Sequence, residues 1–197
     1  MSEPDPTGWF EPLYVEAAAG RASLPWERAE PTTMLTDWTA GLAGDGRTAL
    51  VVGAGLGQDA EHVASLGFRT TAFDIAATAV ASARKRHPDS VVDYVVADLL
   101  DPPAEWTGAF DLVVESITVQ SMPISVRATA IANVAGFVAP GGTLLVISAI
   151  RAEGEEVDGP PWPLTRREIE SFGAGGDIEA VPRPEGGERW RATFRRM

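Results

Sequence analysis

Between residues 48 and 149, short runs of β-branched and apolar residues alternate with Ala-rich or amphipathic stretches. This alternation is typical of βα units that build a mainly parallel sheet, whose strands are buried on both faces. The apolar runs predict strands at Ala49–Gly53, Thr70–Asp74, Val91–Ala97, Phe110–Glu115 and Thr143–Ala149. The stretches between them predict helices at Asp59–Leu66, Thr78–Arg86 and Ile124–Val138, with Gly67, Pro123 and a turn at Pro140-Gly141-Gly142 as boundaries.

The two ends of the chain differ from this middle part. Residues 1–46 carry Trp residues in acidic, Pro-rich sequence, which predicts a helical or irregular cover rather than sheet. An acidic Pro/Gly-rich linker at 151–163 precedes Thr165 and Glu168, whose spacing is that of a capping box at a helix start. Two final strands, expected to pair as an antiparallel hairpin at the sheet edge, are predicted at Ile178–Val181 and Arg189–Phe194. We therefore predict an N-terminal cover at 1–46 and one compact domain at 47–197.

Composition excludes several classes of function. The chain has no cysteine, so disulfides, a thiolate nucleophile and a Cys-ligated zinc site are excluded, and two histidines, His62 and His87, give no basis for a metal site. The net charge of −12 opposes binding to nucleic acid, because such sites use clustered Lys and Arg to neutralise phosphates. No apolar run approaches the roughly 20 residues that span a bilayer, and the N-terminus lacks the pattern of a secretory signal. We expect a cytoplasmic protein that binds neither nucleic acid nor membrane.

A glycine-rich segment lies between the first predicted strand and the first predicted helix. Gly53, Gly55 and Gly57 alternate there, and the missing Cβ atoms allow the backbone to approach a ligand closely. Asp74 ends the second strand 21 residues after Gly53, where an acidic residue can accept hydrogen bonds from both hydroxyls of a ribose. A glycine-rich turn alone can be no more than a turn, but the combination with Asp74 predicts a nucleoside-containing cofactor.

The residue after the third glycine separates two kinds of cofactor. A dinucleotide fingerprint requires Gly or Ala three residues after its second glycine, and this chain has Gln58 there. Alternating glycines instead favour S-adenosylmethionine, which has no pyrophosphate and leaves S-adenosylhomocysteine as product. Asp98 follows the third strand, where an acidic residue commonly binds the adenine amino group, although it could also cap a turn. Three strand ends therefore converge on one adenosyl ligand in this interpretation.

Several other short segments, distributed over nearly the whole chain, are also informative. They are Trp9 and Tyr14, Leu24-Pro25-Trp26-Glu27, the stretch Pro31 to Trp38, Met122-Pro123-Ile124-Ser125-Val126-Arg127, Gly159-Pro160-Pro161-Trp162 and Glu168-Ile169. In these segments the sequence resembles the thiopurine methyltransferase family and its bacterial relatives, which methylate halides, thiols and tellurite. The resemblance implies a Rossmann-like class I methyltransferase fold, with a mostly parallel seven-stranded sheet, an antiparallel C-terminal hairpin and helices on both faces.

The resemblance also implies roles for individual residues, with the Trp-bearing N-terminal segment folded over the cofactor. Aromatic faces accommodate a sulfonium cation and exclude water, although any single Trp, such as Trp38, Trp106 or Trp190, can serve packing alone. The predicted cofactor contacts are Trp9, Tyr14, Trp26, Gly53, Gly55, Gly57, Asp74, Ile75, Asp98, Leu99 and Glu115. The predicted acceptor contacts are Trp26, Met122, Arg127, Pro160, Pro161 and Trp162.

The chain departs from the family at Val114-Glu115-Ser116, where relatives commonly have Asp-Arg. The missing positive charge weakens the case for an anionic acceptor, and Glu115 becomes a candidate general base or a ligand of the cofactor's amino group. We predict an S-adenosylmethionine-dependent methyltransferase that acts on a sulfur or nitrogen nucleophile of a small molecule, heteroaromatic molecules included. The expected partner is that small-molecule acceptor, and the chain is expected to be a monomer or a homodimer. A non-catalytic module that binds the cofactor, or an NAD-dependent oxidoreductase, are the alternatives.

Overall fold

The computed structural model describes residues 5–183 and 186–197, so residues 1–4 of the predicted N-terminal cover lie outside the described residues. The strands are β1 (Thr48–Val52), β2 (Arg69–Asp74), β3 (Asp93–Val96), β4 (Phe110–Ser116), β5 (Val138–Ala149), β6 (Asp177–Pro182) and β7 (Glu188–Arg195). The α-helices are α1 (Phe10–Ala18), α2 (Thr33–Trp38), α3 (Gln58–Ser65), α4 (Ala77–Arg86), α5 (Ile124–Gly136) and α6 (Arg166–Glu170). None of the helices in the described ranges is long and apolar enough to cross a membrane.

The strands form a seven-stranded sheet in the order β3-β2-β1-β4-β5-β7-β6. β1 is parallel to β2, β2 is parallel to β3, and β4 is parallel to β5. β7 is antiparallel to both β5 and β6, so the predicted C-terminal hairpin is confirmed. The predicted mainly parallel, Rossmann-like sheet is confirmed as well. The chain divides into two compact units, one ending at Asp98 and one beginning at Leu99, while the predicted boundary at residue 46 stays a prediction.

In the first unit, the carboxyl ends of three parallel strands lie side by side. The apolar residues of β1 are almost completely buried, as expected for a strand with helices packed on it. α3 packs on β1 and β2, and α4 packs on β2 and β3. β3 is shorter than the predicted Val91–Ala97, because it is an edge strand and only Asp93–Val96 pair with β2. The Gly53–Gly57 segment leaves β1 at this carboxyl edge and leads into α3.

The N-terminal segment of the first unit is helical and irregular, as predicted. It contains α1 and α2 and no strand within residues 5–47. Tyr14 and Leu24 are buried against Ala76 and Ala79, which lie at the start of α4. The segment therefore packs on the helix that begins directly after β2.

In the second unit, the observed boundary between α5 and β5 corrects the prediction. The helix ends at Gly136 instead of Val138, and the strand begins at Val138 instead of Thr143. Val138 pairs with Phe110, and the register then shifts so that Thr143 pairs with Leu112. The predicted turn at 140–142 is thus an irregularity within one long strand, stabilised by backbone hydrogen bonds of 2.7 and 3.1 Å between Gly141, Gly142 and Arg196. Such long-range pairing has no local signal in the sequence.

Candidate functional site

The glycine-rich segment adopts a backbone conformation that explains its alternating glycines. Gly53, Gly55 and Gly57 have φ values of 67°, 53° and 96°, in the left-handed region that favours glycine. A Cβ on Gly55 would lie 3.4 Å from the Tyr14 hydroxyl, so a side chain there would meet the N-terminal segment. Gly57 is the N-terminal cap of α3, and its amide donates to the carbonyl of Ala54 at 2.9 Å. The segment therefore forms a tight loop that presents bare backbone near Gly55.

Asp74 binds this loop directly. Its Oδ2 accepts a hydrogen bond from the Gly55 amide at 3.0 Å, and its Oδ1 accepts one from the Ala76 amide at 3.0 Å. The side chain is 7% exposed, and burial raises the pKa of Asp74 to about 6, although the amide hydrogen bonds oppose that rise. Each carboxylate oxygen has about two lone pairs, so the carboxylate keeps acceptor capacity beyond these amide bonds. The two strand ends predicted to bind one ligand are thus in contact.

The third strand end lies beside the same carboxyl edge. The Ala97 amide donates to the Asp74 carbonyl oxygen at 3.1 Å, which brings the chain after β3 next to the end of β2. Asp98 and Ile75 are half-buried, and Leu99 is buried. The roles predicted for these three residues in cofactor binding stay predictions.

Two sets of hydrogen bonds connect the N-terminal segment to the helices beside the glycine-rich loop. Glu11 of α1 accepts hydrogen bonds from the amide and hydroxyl of Thr78 at 3.0 and 2.5 Å, at the start of α4. Asp59, in the first turn of α3, accepts hydrogen bonds from the Thr32 amide at 2.8 Å and from Arg28 at 3.0 Å. Both helices begin at strand ends that carry the candidate cofactor residues. The segment is therefore fastened to the two helices that start at the site.

The aromatic residues predicted to cover the cofactor form one cluster. The Trp26 indole donates to the Tyr14 hydroxyl at 2.8 Å, and the two ring centroids are 5.9 Å apart. Trp9 lies 5.9 Å from Trp26 in an edge-on arrangement and stacks on Phe10 at 4.0 Å. Phe10 was not among the sequence candidates, although its position next to Trp9 could have indicated it. The structure thus brings Trp9, Tyr14 and Trp26 together, and Tyr14 reaches Gly55.

Tyr14 is placed to act as a hydrogen-bond donor. Burial, together with the charge of Asp74, raises the pKa of the Tyr14 hydroxyl, so this group stays protonated. Its oxygen accepts the Trp26 bond, and within the described residues no acceptor takes its own proton. A buried hydroxyl with a spare proton next to bare backbone is suited to an acceptor group of a ligand.

In the second unit, Glu115 near the end of β4 is fully buried. Its Oε1 accepts hydrogen bonds from the Thr118 and Val119 amides at 2.8 and 2.9 Å, which caps the turn after the strand. Its Oε2 has no hydrogen-bond partner among the described residues. Burial raises the pKa of Glu115 to about 7, against the effect of the two amides. A carboxyl group with this pKa can hold or release a proton near neutral pH.

Arg127 and Met122 are each only 2% exposed in the second unit. The Arg127 guanidinium donates to Glu168 at 2.8 Å and to the Trp162 carbonyl at 2.6 Å, so it fixes the start of α6 and the loop before it. The backbone carbonyl of Gln120, a residue that sequence reasoning missed, accepts a hydrogen bond from the Trp162 amide at 2.7 Å. In this arrangement Arg127 and Gln120 hold the loop that carries Trp162. Pro160 and Pro161 are exposed, and Trp162 is half-buried with its ring against Gly159.

Comparison with known proteins supports the fold. Residues 50–146 match the sequence profile of the family described as Methyltransferase domain. No curated protein is significantly similar to this chain in sequence.

Solved structures resemble this chain over nearly its whole length. One is the 1,6-didemethyltoxoflavin-N1-methyltransferase of Burkholderia thailandensis with bound 1,6-didemethyltoxoflavin and S-adenosylhomocysteine; its TM-score is 0.69 at 19% identity, covering 100% of this chain and 92% of that one. The N-methyltransferase NodS of Bradyrhizobium japonicum with S-adenosylhomocysteine has a TM-score of 0.70 at 21% identity, with coverages of 94% and 98%. The [4+2]-cyclase SpnF has a TM-score of 0.70 at 21% identity, with coverages of 96% and 94%.

At such low identities the structural likeness shows the fold, and the narrower resemblance to thiopurine methyltransferases stays a prediction. The domain match begins within β1 and ends within β5, and it includes the glycine-rich loop and Asp74. Residues 50–146 thus match a methyltransferase domain in sequence, and the fold is similar to that of the methyltransferases whose structures resemble this chain.

Proposed function

We propose that this protein is an S-adenosylmethionine-dependent methyltransferase that methylates a sulfur or nitrogen atom of a small molecule. The observation that carries the proposal is the contact of the Asp74 carboxylate with the Gly55 amide, beneath the Tyr14 hydroxyl. This contact joins the two sequence features that predict an adenosyl cofactor.

The residues at this place fit such a cofactor. Gly55 leaves room for a ligand against the backbone, because it has no Cβ and its left-handed φ disfavours any other residue. The free acceptor capacity of Asp74 suits the two ribose hydroxyls, which are donors. The spare proton of Tyr14 suits a carboxylate oxygen of the methionine part. Each of the three groups thus has a matching partner on the cofactor.

When bound, the cofactor supplies a methyl group on a sulfonium, which is already activated for in-line displacement. The task of the protein is then to bind, align and exclude water. Asp74 and Tyr14 would fix the cofactor at its two polar ends. The rings of Trp9 and Trp26 offer faces that attract a cation and keep water from the site.

The acceptor class rests on the second unit and on the relatives. Arg127, the predicted acceptor contact that could attract an anion, is engaged by Glu168 and the Trp162 carbonyl, which weakens the case for a halide acceptor. Two of the similar structures are N-methyltransferases by name, and one of them holds the small molecule 1,6-didemethyltoxoflavin. A thiolate acceptor needs no base, whereas a protonated nitrogen does, and Glu115 with its raised pKa is our candidate for that base.

Calorimetric titration with S-adenosylhomocysteine and, separately, with NAD tests the cofactor. We expect the wild-type protein to bind S-adenosylhomocysteine and not NAD, and we expect Asp74→Ala to bind it more weakly. Asp177→Ala, at an exposed position in β6, serves as the matched control and should bind like the wild type. Binding of NAD alone would instead favour an oxidoreductase.

A screen with labelled S-adenosylmethionine across thiols, halides and small N-heterocycles tests the reaction. Transfer to a thiol or an N-heterocycle would support the proposal, whereas a protein that binds the cofactor tightly and methylates nothing would be a binding module. The outcome without methyl transfer has to be considered, because one of the similar structures is a [4+2]-cyclase by name. The same fold can therefore serve a different reaction.

A further inference from the structure

A second polar cluster contacts the glycine-rich loop at Gly57. A Cβ built on Gly57 would collide with the Tyr94 hydroxyl and would lie 3.1 Å from Cδ2 of His87. Both side chains therefore lie directly against the Cα of this glycine. Nε2 of His87 is also 3.2 Å from the carbonyl oxygen of Leu56. The last two residues of the loop thus rest on Tyr94 and His87, which sequence reasoning did not connect with the loop.

Glu61 joins this cluster to α3. Its Oε1 accepts hydrogen bonds from the Tyr94 hydroxyl at 2.6 Å and from the Ser90 hydroxyl at 2.5 Å. Its backbone amide donates to the carbonyl of Gly57 at 2.9 Å, in the first turn of the helix. Glu61 is therefore bonded to the end of the loop through its backbone and to Tyr94 through its side chain.

Tyr94 is the centre of the cluster. It lies in β3 and is 2% exposed. Burial and the neighbouring carboxylate of Glu61 raise the pKa of the Tyr94 hydroxyl, so it remains a donor. A buried hydroxyl held by a charge-assisted hydrogen bond is a fixed support for the backbone that touches it.

The loop needs such support because of its composition. Glycines lose more conformational freedom than other residues when they are ordered, and three of the five residues from Gly53 to Gly57 are glycines. If this loop were loose, a ligand would have to order it, and the affinity would fall accordingly. External contacts that already hold the loop reduce that cost.

We infer that Tyr94, Glu61 and His87 are positioning residues, which hold the end of the glycine-rich loop in the conformation that receives the cofactor. The inference rests on the proposed function, because the cofactor is the ligand whose binding it concerns. The three residues act through Leu56 and Gly57 and do not themselves contact the cofactor.

Tyr94→Phe is the first test, because it removes the hydroxyl that lies against Gly57 and retains the ring. We expect the Kd for S-adenosylhomocysteine and the KM for S-adenosylmethionine to rise about fivefold. One hydrogen bond to a charged group is lost, and part of the free energy of that bond stabilises the loop. The kcat at saturating cofactor and the KM for the acceptor should stay unchanged. A merely structural tyrosine would lower the melting temperature without this selective effect.

Ser90→Ala is the matched control. It removes the hydrogen bonds of Ser90 to Glu61, to Tyr94 and to the Val92 amide, and it leaves the Tyr94 hydroxyl bonded to Glu61 and against Gly57. It should lower stability and leave the Kd unchanged. Glu61→Gln retains an acceptor oxygen and should restore most of the affinity that Glu61→Ala loses.

The outcomes separate this inference from the proposed function. A wild-type protein that fails to bind S-adenosylhomocysteine overturns the proposed function itself. If the wild type and a folded Tyr94→Phe variant bind S-adenosylhomocysteine with the same Kd, only the positioning role is overturned. If Tyr94→Phe does not fold, His87→Ala decides, because this half-buried side chain can be truncated with less cost; an unchanged Kd there would contradict the inference.

Discussion

The binding of S-adenosylhomocysteine should depend on pH through Asp74. Burial gives this carboxyl group a pKa of about 6 in the free protein. Ribose hydroxyls donate hydrogen bonds to the ionised form and should lower the pKa of Asp74 in the complex. Binding below about pH 6 then requires the release of a proton, so the affinity should fall as the pH is lowered.

The size of the effect follows from the pKa. At about pH 5, one unit below the pKa of free Asp74, about ten molecules carry the protonated carboxyl for each ionised one. If the pKa of Asp74 in the complex is near the ordinary value of 3.8, the Kd at about pH 5 is about tenfold higher than at about pH 7.5. This factor corresponds to about 1.4 kcal/mol. Above about pH 7 the Kd should be constant, because free Asp74 is already ionised there.

Isothermal titration at a series of pH values, with wild type and Asp74→Asn side by side, measures this dependence. The variant cannot ionise at this position, so its affinity should be weak and nearly independent of pH over the same range. Parallel curves for the two proteins would refute the reasoning, because they would assign the pH dependence to another group. A flat wild-type curve would show that Asp74 does not bind the ribose.

Four other changes have expected outcomes. Asp74→Ala should weaken binding of S-adenosylhomocysteine at least about tenfold by titration, since each lost charge-assisted hydrogen bond contributes about 1.5 to 3 kcal/mol; unchanged affinity contradicts the assignment. Trp26→Ala should lower turnover more than melting temperature, and a melting temperature that collapses first would indicate a packing role alone. Gly55→Ala should cost about 1 to 2 kcal/mol in urea unfolding, because φ is 53°, and should also weaken binding. As the pH rises from about 4.5 to about 7, wild-type stability should fall by up to about 3 kcal/mol relative to Glu115→Gln, because Glu115 is ionised in the unfolded chain and still protonated in the folded one. A difference in unfolding free energy that does not change with pH would argue against the raised pKa of Glu115.

Much of the fold could be predicted from the sequence, since its signals are local. Alternating apolar runs identified the parallel strands, and the capping box of Thr165 and Glu168 is present at the start of α6, with Thr165 accepting the Glu168 amide at 3.2 Å. The errors lie where pairing is long-range, as at the start of β5, whose first residues join Phe110 across the sheet. The ends of a β-strand depend on the strands with which it pairs, and the sequence near those ends does not contain the partners.

The candidate site, too, was predictable only in part. The sequence by itself determined the conformation of the glycine-rich loop, because a left-handed backbone favours glycine. It also determined that this loop and the acidic end of β2 lie close together, because parallel strands bring their carboxyl ends to one edge of the sheet. Only the tertiary structure decided which distant side chains meet there. Glu11 reaches Thr78 over 67 residues, and Tyr94 reaches Glu61 over 33. These contacts depend on how α1, α3 and β3 pack, and packing is a property of the whole hydrophobic core that no short stretch of sequence encodes.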